Sequence, residues 1–310
     1  MKLYRYSFIL FLIPAFLGFS QQLPQYTQWT SHQFALNPAH AGIKNCLDAH
    51  SLFRTQWQGF EGAPRTGFVT ISSPMNAWRK NALSTRQGIG AKIEVDRIGP
   101  ISTNRLNLAY SSHFNYTADK RLSLGLYVGF IQFNYDTQSL STIQPDPSIS
   151  KDESFIKPDA TFGVWWNTTN YYLGLSLKNL IPSKWNAVGS DSRFQLHADL
   201  NGGTRITLNR DYTLIPSFLL KIPPVGVPSL DLNAIVNYNN LYGFGFGIRN
   251  TNALLFLANI KLNGQFSLHY SFDYVLSPLK AGTIHSHEVS FIFNTCKHKQ
   301  IGPTKCPLFE

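Results

Sequence analysis

A histidine and an aspartate on one face of an extended segment can exchange a proton with a bound substrate, and the chain carries two such sets. His197 and Asp199 share a face with Arg205 further along, and His269 shares one with Asp273. Catalysis of acyl transfer also needs a nucleophile held on a sharp turn, and no G-x-S-x-G segment accompanies either set. His285-Ser286-His287 offers two imidazoles, but a zinc site takes three or four ligands, so this pair alone does not predict a metal. Gly243, Gly245 and Gly247 alternate with Phe244 and Phe246, and no helix follows them, so they do not form a phosphate cradle. The expectation is a chain that is not an enzyme and takes no cofactor. Arg105, His197, Asp199, Arg205, His269 and Asp273 are then expected to form a polar network facing a lumen.

The elements that position these residues are strands. Leu106, Leu108, Tyr110, Ser112 and Phe114 alternate with Arg105, Asn107, Ala109, Ser111 and His113. The same period of two governs 122–130, 171–178, 194–201, 230–238 and 266–274. A soluble sandwich also alternates, but its strands cluster near ~5–6 residues. Here the runs reach the ~9–11 residues that cross a bilayer at a tilt. Aromatics recur at run ends (Tyr110, Phe114, Phe130, Phe194, Tyr238, Tyr274), as an interfacial girdle requires. Charged residues are only 14% of the 310, while mean hydropathy is slightly negative. A barrel that is apolar outside and polar inside has this balance.

Fourteen strands are predicted, near 46–56, 65–73, 87–96, 103–114, 121–134, 159–167, 170–179, 193–206, 211–222, 229–238, 241–249, 253–262, 265–274 and 286–294. From the fourth strand on, every second connection is tight, with Asn239-Asn240 and Asn263-Gly264 as two-residue hairpin turns. The others are mostly longer, which is the outer-membrane pattern. The fold class is therefore all-β: a transmembrane antiparallel β-barrel of about 14 strands with both termini periplasmic. Lys2 and Arg5, the apolar run Ser7–Leu17, and Gly18 and Ser20 predict a signal peptide over 1–20, cleaved before Gln21. The remaining divisions are a periplasmic or plug segment at 21–45, the barrel at 46–294 and a periplasmic tail at 295–310. Basic residues are scattered over strand faces and turns, so nucleic acid is not an expected partner.

Two N-terminal motifs are longer than any hairpin needs. One is Asn37-Pro38-Ala39-His40-Ala41-Gly42. The other is Arg54-Thr55-Gln56-Trp57-Gln58-Gly59-Phe60-Glu61-Gly62-Ala63-Pro64. Gly88-Ile89-Gly90, Asp96-Arg97-Ile98-Gly99-Pro100 and His287-Glu288-Val289-Ser290 follow in order. In this order the chain resembles the PorP/SprF family of type IX secretion system membrane proteins, over essentially its whole mature length. His40 within the first motif and Arg65-Thr66 after the second depart from the pattern. The resemblance implies an outer-membrane component of the secretion and gliding machinery of Bacteroidetes-type bacteria. It would bind, anchor or help export a surface protein or adhesin, beside outer-membrane lipid and periplasmic ring or peptidoglycan-contacting proteins. Asn37, Pro38, Ala39, Gly42, Arg54, Gln56, Trp57, Gly59, Phe60, Gly62 and Pro64 are the motif residues that could touch such a partner or simply shape the hairpin. The segment 21–42 is expected to plug the lumen or dock a partner.

The three cysteines leave two pairings open in an oxidising compartment. Cys296 can bridge to Cys306 across the tail, or to Cys46, because first and last strands adjoin in a closed barrel. Similar tails in the family imply Cys296–Cys306. The alternative function is an outer-membrane porin or small-molecule transporter. Fourteen strands fall short of the ~16–18 of open porins, so a narrow or plugged lumen is expected.

Overall fold

In the computed structural model, the residues described are 24–75, 85–117, 119–136, 153–184, 193–250, 252–276, 282 and 285–296. Alternation becomes a closed antiparallel ring of fourteen strands. They are β1 (Asp48–Thr55), β2 (Arg65–Pro74), β3 (Arg86–Ile98), β4 (Ile101–Asn115), β5 (Arg121–Tyr135), β6 (Glu153–Asn167) and β7 (Tyr171–Lys178). Then follow β8 (His197–Thr204), β9 (Tyr212–Ile222), β10 (Ser229–Tyr238), β11 (Tyr242–Arg249), β12 (Ala253–Lys261), β13 (Phe266–Val275) and β14 (His285–Asn294). Each pairs with its neighbour in sequence, and β14 returns to β1 with Asp48 opposite Asn294. No edge is left open around the ring, as a membrane-spanning sheet requires. No helix among the described residues is long and apolar enough to cross a membrane.

The distribution of polarity is inverted relative to a soluble protein. Phe244 on β11 is 68% exposed, whereas Glu288 on β14 is 0% exposed. Outward faces carry Val69, Ile93, Leu108, Val128 and Phe246, and inward faces carry Asp48, Ser111, Asp231 and Ser290. We call the rim where β1 begins and β14 ends the near rim, and its opposite the far rim. The near rim has aromatics in contact across strands: the exposed Tyr212 with the exposed Tyr238 at 5.0 Å, and the exposed Phe266 with the half-buried Phe293 at 4.9 Å.

Local chemistry explains the tight near-rim turns. Asn239 and Asn240 take φ of +50° and +53°, the twist a two-residue hairpin turn needs. Asn263-Gly264 instead sits within a longer connection, because Asn263 Oδ1 accepts from the backbone N–H of Gln265 and Phe266 and closes a side-chain turn.

Several expectations are corrected. β6 begins at Glu153, not 159, and contains Pro158. The carbonyl of Ala160, two residues on, faces away from β5 to accept from Leu180, so the N–H that proline lacks would also face away from the β5 ladder. The predicted strand 193–206 splits. Arg193–Phe194 pairs with Ser183–Lys184 outside the ring, and the ring strand starts at His197. Phe194 then packs on Ile131 and Phe133 and belongs to no girdle. The disulfide joins Cys46 to Cys296, not Cys296 to Cys306. The β1–β14 register dictates it: two residues beyond the Asp48–Asn294 pair the cysteines face each other, with Cα atoms 5.0 Å apart. Cys306 lies outside the described residues. The near rim holds the start of β1 and the end of β14, but the chain before β1 runs back through the lumen toward the far rim.

Candidate functional site

The segment Pro24–Cys46 fills the barrel. It has little regular structure: one helical turn at Gln33–Leu36 and a 3-10 turn at Pro38–His40. Such a chain must find partners elsewhere for its backbone groups, and the inward side chains supply them. Lys221 of β9, near the far rim, donates to the carbonyl of Pro24 at 3.4 Å. Glu288 of β14 accepts from the N–H groups of Thr27 and Gln28 at 2.9 and 2.8 Å. Tyr127 of β5 donates to the carbonyl of Phe34, and Lys92 of β3 to that of Ala35 at 3.3 Å. Ser111 of β4 donates to Ala41 at 2.7 Å, with His113 also in contact at 2.9 Å. Arg121, near the start of β5, donates to Ile43 at 3.2 Å. The order of these anchors gives the direction: Pro24 lies toward the far rim and Ile43 toward the near rim.

The first motif is the near-rim half of this plug. Asn37 Oδ1 accepts from the N–H of Ala39 at 2.9 Å and caps the 3-10 turn that Pro38 opens. Asn37 Nδ2 donates to the carbonyls of Val164 on β6 and Leu175 on β7, at 3.0 and 3.1 Å. Ala39 and Ala41 are fully buried. Gly42 has φ of +59°, and a Cβ there would lie 2.7 Å from Gly88 Cα and from Ser73 O. The wall beneath is correspondingly bare. A Cβ on Gly88, Gly125 or Gly163 would collide with Ala41, Ala39 or Asn37 respectively.

The second motif divides between two places. Arg54 points into the lumen and is 1% exposed. Its guanidinium meets Asp273 of β13 at 2.6 Å, Glu288 of β14 at 3.1 Å and Thr27 of the plug at 2.8 Å. Arg249 of β11 approaches the same Asp273 at 3.1 Å and also holds Asp231 at 2.9 Å. Thr27 Oγ1 donates to Asp273 at 2.8 Å, so two arginines, three carboxylates and the plug form one cluster. Gln56–Pro64, by contrast, is the far-rim connection between β1 and β2. It is stitched to its neighbours through Gln58 N–H to His285 O at 3.2 Å and Gly99 N–H to Gly62 O at 2.9 Å. Trp57, Gly59 and Gly62 have positive φ, and the Phe60 ring packs on Gly282 while remaining partly exposed.

The expected lumen residues are therefore dispersed through several contacts. Asp273 is the centre of the arginine cluster. His269 sits near the plug's His32, which contacts His50 at 3.0 Å and Ser290 at 2.9 Å. Arg105 pairs with Glu94 at 2.8 Å, and Glu94 also accepts from Tyr26 of the plug. Asp199 pairs with Lys178 at 2.5 Å, while His197 contacts the carbonyl of Gln195 at 2.9 Å. The N–H of Arg205 donates to Asn170 O at 2.6 Å at the near rim. Neither expected histidine–aspartate set is joined by a hydrogen bond, since each aspartate is held by cations. Glu288, Arg249, Lys92 and Glu94 are the anchors that sequence reading missed. Glu288 lies in the His287–Ser290 motif, but one acid in an alternating strand has no local mark of being a plug anchor.

Residues 18–293 match the family model described as "Type IX secretion system membrane protein PorP/SprF". Among solved structures, the CymD monoaromatic hydrocarbon channel is similar with 10% identity and a TM-score of 0.51, over 87% of this chain and 94% of that one. The Ralstonia pickettii toluene transporter TbuX is similar with 9% identity and a TM-score of 0.50, over 85% and 92%. At such identities the likeness concerns the barrel fold alone. No curated protein matches the sequence.

Proposed function

The chain belongs to the PorP/SprF family of type IX secretion system membrane proteins, and from that premise we propose that it is a stoppered outer-membrane barrel that binds and anchors, or helps export, a partner surface protein. In this reading it carries out no catalysis and serves as a docking platform beside the secretion machinery. The observation that carries the proposal is the use of the family motifs: Asn37–Gly42 and Arg54 fix a polypeptide plug across the lumen. A lumen closed in this way favours protein contact at the rims over diffusion through the pore. Gln56–Pro64, whose centre Gln58–Gly62 is exposed at the far rim, is the motif segment best placed for that contact.

The second reading is passage of small molecules, favoured by the barrel's likeness in fold to hydrocarbon channels. A tagged copy purified from outer membranes in gentle detergent separates the two. Stoichiometric recovery of a large surface protein or periplasmic ring components supports the secretion role. Recovery of the barrel alone, even after cross-linking, together with steady single-channel currents from the full chain, moves the assignment to a pore.

A further inference from the structure

The outward face carries a second pattern that the plug does not explain. Cross-strand registers align Thr55, Arg65, Arg97, Ser102, Asn134 and Ser154 in one row over β1 to β6. The strand alternation turns this row outward, toward the far rim. Two rows nearer the middle of the sheet, the outward residues are Val69, Ile93, Leu106 and Phe130, all exposed and apolar. The row of polar residues therefore marks the level at which the outer surface leaves the hydrocarbon.

Half of this row is internally satisfied. Ser154 donates to Asn134 at 2.7 Å, Asn134 contacts Ser102 at 3.4 Å, and His287 beyond Thr55 on β14 meets Tyr270 at 2.7 Å. Arg65 and Arg97 are the charged members of the row, and they lack such contacts. They are directly opposite each other on β2 and β3, both exposed, and neither guanidinium has a hydrogen bond or ion pair among the described residues. Like charges directly opposite on a sheet destabilise it unless an anion lies between them. Guanidinium groups bind phosphate in a planar, two-pronged manner. Val95, two residues before Arg97 on the same face, is 46% exposed. A ligand that meets the arginines and this apolar wall together needs an anionic group next to an apolar one, which is how a lipid joins its phosphate to its acyl chains.

We propose that Arg65 and Arg97 form a binding site for the phosphate of an anionic membrane lipid in the leaflet at the far rim. The site is independent of the partner reading above, since it uses neither the plug nor the loop Gln56–Pro64.

The test is native mass spectrometry of the full chain released from phosphatidylcholine nanodiscs containing a minor fraction of phosphatidylglycerol. Wild type retains phosphatidylglycerol in excess of its share. R65Q/R97Q loses roughly thirty-fold of that preference, from two surface charges. R65K/R97K, which keeps the charge but not the two-pronged geometry, retains only part of it, and each single glutamine variant gives an intermediate loss should the double variant fold poorly. Unheated gel mobility reports the folded barrel for each. Unchanged lipid retention in R65Q/R97Q, or an equal loss in R210Q at the near rim, overturns the site. Binding of inorganic phosphate in lipid-free detergent with the same arginine dependence, and no lipid preference, makes it an ion site only and overturns the lipid assignment. Loss of a co-purifying acidic protein with lipid retention intact replaces lipid with protein.

Discussion

Replacing Arg54 with methionine tests the arginine cluster most directly. The substitution leaves a side chain of similar reach but removes the cation that sits between Asp273, Glu288 and Thr27. Losing one partner of a buried ion pair costs ~3–5 kcal/mol, because the remaining charge stays buried without compensation. Two contacts soften the loss here. Arg249 still neutralises Asp273, and Glu288 still accepts two plug N–H groups. The lower end, about 3 kcal/mol, is therefore expected. At ~1.5 °C per kcal/mol for a chain of this size, the melting temperature in detergent falls by about 5 °C. The double variant R54M/E288Q removes both charges of one pair and recovers at least half of that fall, the signature of coupled partners. A drop below ~2 °C for R54M, or a double variant whose loss equals the sum of its singles, refutes the claim that this cluster secures the plug.

Four further outcomes follow from the same geometry. Deleting residues 24–45 leaves a heat-modifiable barrel, because the strand ladder is self-contained, and turns it from silent to steadily conducting in planar bilayers; an intact barrel with unchanged currents and unchanged export would mean that the segment neither plugs nor docks. Gly125→Val places side-chain atoms where the backbone of Ala39 lies, costing ~1–3 kcal/mol by overpacking and raising conductance without abolishing assembly. Asn37→Ala loses two side-chain hydrogen bonds to the wall and one cap, together ~2–3 kcal/mol, read as a lower melting temperature. Non-reducing peptide mapping recovers Cys46 linked to Cys296, Cys306→Ser leaves that link in place, and Cys46→Ser destabilises by at most ~5 kcal/mol, the chain-entropy limit for so long a loop.

Much of the barrel was legible because its rule is local. Period-two alternation fixes which side chain faces out as soon as a segment is extended, so Leu106 and Phe130 outward and Arg105 and Asp273 inward follow from spacing alone. Asn239-Asn240 likewise announces its turn through backbone preferences of two adjacent residues. The strand starts that were misplaced, at Glu153 and His197, depend on non-local facts: which edge of β6 needs no ladder partner, and where the chain leaves the ring beyond β7.

The long motifs fixed the family without saying what their residues touch. Asn37 reads as a turn former, and its second role, holding β6 to β7, exists only once the plug lies beneath them. Gly88 and Gly125 fit a small-inside pattern, and only the plug backbone above them shows why a methyl group would not fit. Arg54 meets Asp273 across 219 residues, and Cys46 meets Cys296 across 250. Sequence by itself determined the strands, their faces and the family, because those rest on neighbours along the chain. Closure of the ring and the threading of Pro24–Cys46 through it decided the partners of the buried charges, because a register between first and last strands is set by the whole sheet and by no segment of it.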